Sequence, residues 1–335
     1  LFQYTLRRLV SLIPVLLGIT LIAFATMQFI PGDPVTVRLG ERATPEQVAM
    51  IRSQLGLDQP FWVQYFQFLK HLCQGDLGNS IISGNSIASE VLIRWPATAE
   101  LAIAAMVFAI VLGIPLGMVA AVYQNRWPDQ MARIGALLGV SLPVYWLGLL
   151  LVYGFAVMLR WLPASDRLDT VYSFTFQPIT GLYGLDAILR GQLDVLVNVV
   201  WHLLLPAFTL GTIPLAVIAR ITRSALLDVL GQPYIQTAYA KGVPKVWVIG
   251  RHALKNALLP ITTVTGIQFG TLLGGAVLTE TIFAWPGMGT WLYEGILNRD
   301  YPVIQGGVLV IAILFVLANV GVDLMYGWLD PRIRQ

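Results

Sequence analysis

The chain of 335 residues holds a single cysteine, Cys73, and three histidines, His71, His202 and His252, that lie far apart in sequence. One cysteine excludes an internal disulfide framework and a cysteine-based zinc site, and the scattered histidines argue against a His-rich metal site. Charge is scarce too: 12% of residues are charged and 56% hydrophobic, whereas soluble domains carry about 25% charged residues. With a mean hydropathy of +0.71, the composition is that of a membrane protein. Only four residues are lysine and none follows a glycine, so the chain has no phosphate-binding G-x-x-x-x-G-K-[ST] loop. No catalytic constellation is visible either.

What is present is a series of long apolar runs. A helix needs about 20 mostly apolar residues to cross a bilayer. Six stretches qualify: 9–30, 101–123, 134–159, 195–219, 258–282 and 303–326. The fourth contains His202, the fifth Glu280 and the sixth Asp323. The first follows Arg7-Arg8 but is too long for a signal-peptide core of roughly 7–15 residues, and no A-x-A-like site follows it. It is expected to be a retained anchor.

The basic residues orient these spans. Segments 1–8, 124–133, 220–257 and 327–335 hold 12 of the 21 Lys and Arg residues, although they amount to only 65 residues. Acidic residues concentrate on the opposite flanks. Both termini are therefore expected on the cytoplasmic side, with segments 31–97, 160–194 and 283–302 outside. The first external segment is long and patterned. Thr44-Pro45-Glu46-Gln47 reads as a helix start, Gly56 as a stop, and a second helix is expected from Pro60 through Phe61, Trp62, Tyr65, Phe66 and Leu69. "GDLGNS" (75–80) reads as turns. A small helical insertion after the first span is the expectation.

The stretch "QPYIQTAYAKGVPKVWVIGRHALKNALLP" (232–260) is basic, carries no acid and lies on the cytoplasmic side. Pro233 suits a first helical turn. Ile235, Ala238 and Tyr239 fall on one face, and Gly242 stands where a left-handed cap belongs. Pro244 opens a second helix with an apolar stripe at Val246, Gly250, Ala253, Leu254 and Ala257. The outline is helix–turn–helix, yet the loop is short, tethered at both ends and lacks a base-reading surface, which weighs against nucleic acid. Positive charge marking the inner leaflet and a docking surface for a cytoplasmic protein remain.

"QTAYAKG…HALKNALLP" resembles the cytoplasmic EAA loop of membrane subunits of ATP-binding-cassette importers. Gln236, Thr237 and Ala238 take the Glu-Ala-Ala places, Gly242 the glycine, and Leu259-Pro260 the end. Gln236 in place of an acid, and the long spacer, resemble the branch that imports di- and oligopeptides, nickel and glutathione. Further resemblance runs through nearly the whole chain: "LRRLVSLIPVLLGITLIAF", "FIPGDPV", "LGLDQPFWVQYFQFL", "GDLGNS", "PATAELA" (96–102), "TETIFAWPGMG" (279–289), "RDYPVIQG" (299–306) and the terminal "DPRIR" (330–334).

The resemblance implies an all-α integral membrane permease subunit of the type I importer fold, in the bacterial cytoplasmic (inner) membrane. Residues 1–30 would form a cytoplasmic N-terminus and a peripheral first span, 31–97 the external insertion, and 98–335 a five-helix core with its coupling loop at 223–258. It implies a second homologous permease subunit, two cytoplasmic ATP-binding subunits that bind ATP and Mg, and an external substrate-binding protein, with no cofactor in this chain. Tyr234, Ile235, Gln236, Thr237, Ala238, Tyr239, Ala240, Lys241 and Gly242 would contact the ATPase.

Within the spans, Thr262, Thr265 and Gln268 share one helix face and either line a pathway or bond between helices. Glu280 either lines the pathway or hydrogen-bonds within the bundle. Gly266, Gly270 and Gly274 look like a packing seam, Asp323 like a partner for a cytoplasmic cation, and Arg94 and Trp95 like interfacial anchors. Two rivals of other classes stand: a membrane-integral enzyme, for which His202 alone supplies no site, and a non-transporting scaffold.

Overall fold

The computed structural model of the chain describes residues 2–29, 44–54 and 58–329. Most of "FIPGDPV", the stop at Gly56, the terminal "DPRIR" and the side chain of Asp323 lie outside the described residues. Helix α1 (Phe2–Phe29) is followed by α2 (Pro45–Gln54) and α3 (Phe61–Cys73). The start of α2 is a capping box: the Gln47 N–H donates to Thr44 Oγ1 at 3.3 Å and the Thr44 N–H to Gln47 Oε1 at 3.0 Å, so two N-terminal donors are satisfied reciprocally. Glycines at Gly75 and Gly78, with φ of +76° and +82°, make the turns of "GDLGNS".

Two long helices form the centre, α4 (Ile87–Val122) and, further along, Leu193–Leu230. Small residues let them approach closely: Ala97, Ala102, Ala105 and Ala109 pack against Leu210 and Ile218. A Cβ on Gly211 would come within 2.7 Å of the Ala105 carbonyl, and one on Gly117 within 2.5 Å of the Ala219 carbonyl. Without a hydrophobic drive between helices in lipid, such backbone-close packing is the main source of their association.

Between them the third expected span is not continuous. Helix α5 (Trp127–Ser141) and α6 (Val144–Leu151), which continues through a π-helical stretch Val152–Met158, are bent by 102° to one another. The cause is Pro143. It forces Leu142 into extended backbone, φ −82° and ψ 127°, since the residue before proline is disfavoured in the helical region. Short helices α7 (Thr170–Thr175) and α8 (Tyr183–Leu189) then lead into α9, the long helix Leu193–Leu230.

The cytoplasmic stretch forms α10 (Pro233–Ala240) and α11 (Lys245–Trp247). A π-helical turn Val248–Ala253 then joins α11 to α12 (Leu254–Gly275). The fifth span therefore starts inside the loop and stops early, at a break at Ala276, with α13 (Val277–Ile282) beyond it. Helix α14 (Met288–Leu297) occupies a segment expected only as an external loop, and α15 (Tyr301–Leu329) closes the order.

The described residues thus form an all-α, multi-pass architecture with four helices long and apolar enough to span a membrane, and a fifth if the bent pair counts as one. The apolar part of α1 within the described residues is Ser11–Ala25, shorter than a full span. The expected stripe on the second cytoplasmic helix holds at Ala253 and Ala257 and is corrected at its start by the π turn. Val246 is 80% exposed, and Val248, Ile249, Ala253 and Ala257 are the buried positions. The glycine seam holds at Gly270, where a Cβ would meet Phe315 at 3.2 Å, whereas Gly274 has open space around it.

Candidate functional site

The sequence motifs meet in pairs. At one end of the bundle, Ser80 of "GDLGNS" donates its hydroxyl to Asp300 of "RDYPVIQG", which also accepts the Ile81 N–H at 3.1 Å and the Ile82 N–H at 3.3 Å. Beside it, "PATAELA" closes on "TETIFAWPGMG". Thr98 Oγ1 donates to Glu280 Oε1 at 2.6 Å and accepts the Met288 N–H at 2.8 Å. The other carboxylate oxygen accepts the Thr290 N–H at 2.9 Å, and the buried Trp285 indole donates to the Ala97 carbonyl at 2.8 Å.

Glu280 is therefore fully enclosed within this chain. Its carboxylate sits at the N-terminus of α14, where unpaired backbone N–H groups favour negative charge. A Cβ on Gly287 would fall on that carboxylate, which explains the glycine in the motif. Of the two roles open for Glu280, hydrogen bonding within the bundle is the one the geometry displays. It faces no open surface.

At the same end, Arg167 bridges to Glu100 and to the Gly181 carbonyl, with its guanidinium 3.5 Å over the Tyr183 ring. Glu100 also accepts the Gly184 N–H at 2.7 Å. Asp186 has no exposed surface and accepts the N–H groups of Ile179, Thr180 and Gly181 together with the Thr180 hydroxyl. Burial by itself would raise its carboxyl, but those hydrogen bonds outweigh it and hold the group below the ordinary carboxylate range.

The opposite end carries the basic stretch. Helix α10 ends in a Schellman arrangement: the Val243 N–H reaches the Ala238 carbonyl at 3.2 Å and the Gly242 N–H the Tyr239 carbonyl at 2.9 Å. Gly242 takes φ +74°, the left-handed conformation that this cap requires. Ile235 is wholly buried among Ala121, Leu226, Val248, Ala253 and Ala257. That corrects its assignment as a partner contact: it seats α10 on the chain itself. Asn256 of "HALKNALLP" donates to the Tyr234 hydroxyl at 2.9 Å, so the two halves of the loop motif hold one another.

The face left open is formed by Tyr234, Gln236, Thr237, Tyr239, Ala240 and Lys241, with Ala238 half-buried behind it. Tyr234 and Tyr239 are 45% and 42% exposed. The structure brings these residues together on one short, capped and anchored helix.

Near this face lies a site that sequence reasoning missed. Asp129, fully buried at the start of α5, accepts a bidentate pair from Arg223 at 2.6 and 2.8 Å and the Asn125 N–H at 2.9 Å. Arg133 stands 3.5 Å away. The signal was present as a lone acid inside a short basic loop.

In the middle of α12, Thr262 and Thr265 turn their hydroxyls back to the carbonyls of Leu258 and Ile261, each at 2.8 Å. They and Gln268 are half-buried. Glu280 stands on α13, beyond the break at Ala276, with Thr98 and Thr290 as its partners. Among the described residues no group of three His, Cys, Asp or Glu side chains is placed to hold a metal ion.

Comparison with known proteins fits this layout. Residues 113–335 match the family model for the binding-protein-dependent transport system inner membrane component, and residues 1–102 match the model for the N-terminal part of such membrane components. The dipeptide transport system permease protein of Alkalihalophilus pseudofirmus is 49% identical over 334 residues, 99% of both chains. That of Escherichia coli K12 is 48% identical over 335 residues, again 99% of both. The glutathione transport system permease protein of Salmonella paratyphi A is 40% identical over 332 residues, 99% of each chain. With the domain model covering well over half its length and these relatives matched from end to end, the chain belongs to the family of inner-membrane components of binding-protein-dependent transport systems.

Proposed function

We propose that the chain forms half of the translocation pathway of an ATP-driven importer for di- or oligopeptides and transmits force from cytoplasmic ATPases through α10. The observation that carries the coupling role is the anchored helix itself. Its outer face of Tyr234, Gln236, Thr237, Tyr239, Ala240 and Lys241 is open, while Ile235, Asn256 and the Gly242 cap fix it to the bundle. A short rigid helix of this kind fits a cleft in another protein, and push or pull on it moves α12 directly.

The ATP and Mg belong to two partner ATPase subunits, a second permease subunit completes the pathway, and an external binding protein delivers solute. On this reading both termini are cytoplasmic and six spans cross the inner membrane. Residues 1–30 hold a peripheral first span, 31–97 the external insertion and 98–335 the core. Thr262, Thr265 and Gln268 face the pathway from α12. Peptide as the solute rests on the dipeptide permeases that match at 48–49% identity. Glutathione, a peptide in its own right, is the second reading, on the relative at 40%.

Reconstituting the chain with its partner permease, ATPases and binding protein in proteoliposomes tests the reading. ATP-dependent accumulation of a labelled dipeptide is expected, with glutathione and nickel as competitors. Uptake of nickel alone would move the substrate to another branch, and absence of any ATP-dependent uptake would leave the scaffold reading.

A further inference from the structure

Helix α3 belongs to the segment expected as an external insertion, and it packs along α1. Its sequence, "FWVQYFQFLKHLC", is dominated by aromatic side chains. Phe61, Tyr65 and Phe68 all pack on Phe24 of α1, with ring centroids 5.3–5.6 Å apart. Tyr65 is 6% exposed, and its hydroxyl meets Thr20 Oγ1 at 2.9 Å and the Leu17 carbonyl at 3.2 Å.

These contacts set the depth of α3. Phe24 lies five residues from Phe29, the last residue of α1, which at 1.5 Å per residue is about 7.5 Å below its end. Leu17 and Thr20 lie lower still, in the middle of the apolar stretch Ser11–Ala25. A helix that touches a membrane span at those levels is itself at membrane depth. The face of α3 turned away from α1 carries Trp62, Val63 and Phe66, which are 59%, 40% and 66% exposed. Gln67, Lys70 and His71 follow on the exposed side towards the C-terminal end.

We propose that α3 is an interfacial helix seated in the leaflet that receives the C-terminal end of α1, with Trp62, Val63 and Phe66 among the lipid acyl chains. Aromatic rings concentrate at the membrane–water boundary, and an amphipathic helix there sinks its apolar face by about 5–10 Å. The ring contacts on Phe24 lie at that level, and only the long Tyr65 side chain reaches deeper, to Thr20 and Leu17. The inward face satisfies its one buried polar group, the Tyr65 hydroxyl, on α1, as a hydrocarbon setting demands. The segment between the first two spans is thus anchored to the bilayer before it turns outward at Gly75.

The single cysteine makes the test direct. In a Cys73→Ser background, nitroxide labels are placed by Trp62→Cys, Val63→Cys, Phe66→Cys, Val15→Cys (on α1) and Ser83→Cys (in the turns), and the assembled importer is put in proteoliposomes. Collision with oxygen, which concentrates in lipid, is compared with collision with a water-soluble nickel chelate. The expected result is an oxygen-to-chelate ratio at 62, 63 and 66 several-fold above that at 83 and close to that at 15. A ratio equal to that at 83 would show these residues in water. Loss of both collisions would show them covered by another protein. Either result overturns the proposal, and neither bears on which solute is carried.

Discussion

Gly242 has a φ of +74° and no atom within 4 Å of the place its Cβ would take. A side chain there is penalised by the backbone alone, by about 1–2 kcal/mol for alanine and more for a β-branched residue. Gly242→Val is expected to leave the protein in the membrane while ATP hydrolysis persists and uptake is lost, with Gly242→Ala between. Both activities are measured in the same proteoliposomes, and normal uptake in the valine variant would refute the coupling role of this helix. Glu280 differs in kind, because its partners are buried with it. Glu280→Ala strips Thr98 and the N–H groups at the start of α14 of their acceptor, at about 1–3 kcal/mol for each group left unpaired. A lowered melting temperature is expected, with little recovery from Glu280→Gln, whose amide supplies one acceptor where two are used. At Asp186 the carboxyl is held low in the folded chain, so the unfolded chain takes up the proton first as pH falls. Its stabilisation is complete above the ordinary carboxylate value of about 3.9 and is lost as pH drops through the lower folded-state value. Hydrogen exchange of the Ile179–Gly181 amides, corrected for intrinsic rate, is expected to keep its protection down to about pH 4 and lose it below. Asp186→Asn should abolish that dependence.

Helix α10 separates two functions that a residue list runs together. Ile235 is wholly buried in the bundle, whereas Tyr239, one turn along the same flank, is 42% exposed. Ile235→Ala opens a cavity under the helix at about 2–5 kcal/mol and is expected to lower both stability and coupling. Tyr239→Ala is expected to weaken ATPase binding with the melting temperature unchanged. Co-purification of the ATPase, read beside thermal unfolding, distinguishes the two. Much of this element was legible beforehand: Pro233 marks its start, Gly242 its cap and Pro244 the next turn. The side that faces the protein was not, because an eight-residue helix with Ile235, Ala238 and Tyr239 on one flank reads equally well from inside or outside. The π turn at Val248–Ala253 has no such mark in sequence. It leaves Ala253 and Ala257 buried as expected but moves the start of the buried face onto Val248 and Ile249 and puts Val246 in the open. Pro143 was visible, but the apolar run on either side of it hid a 102° bend, since hydropathy averages over a break that backbone geometry cannot. Helix α14 was concealed for the opposite reason: its residues are apolar enough to pack but too few to register as a span.

Over the whole molecule, charge and motif order predicted more than periodicity did. The basic flanks expected inside gather at the end that holds α10, Arg126 and Arg223, and the segments around residues 80–100, 166–186 and 280–300 gather at the other. Single cysteines in the Cys73→Ser background test the orientation. Asn125→Cys and Lys241→Cys are expected to react with an impermeant maleimide only from the cytoplasm, and Asn85→Cys and Asp166→Cys only from outside. What sequence could not convey is which motifs touch, because Thr98 and Glu280 stand 182 residues apart and Asp129 and Arg223 stand 94 apart. Those two contacts have a joint consequence. One staples α4 to α13 and α14 at the end away from α10, and the other staples α5 to α9 at the end that holds it, each through a fully buried carboxylate. A subunit fastened at both ends resists flexing within itself. On the importer function proposed above, that favours rocking of this subunit as a unit against its counterpart, with α10 as the handle by which it is turned.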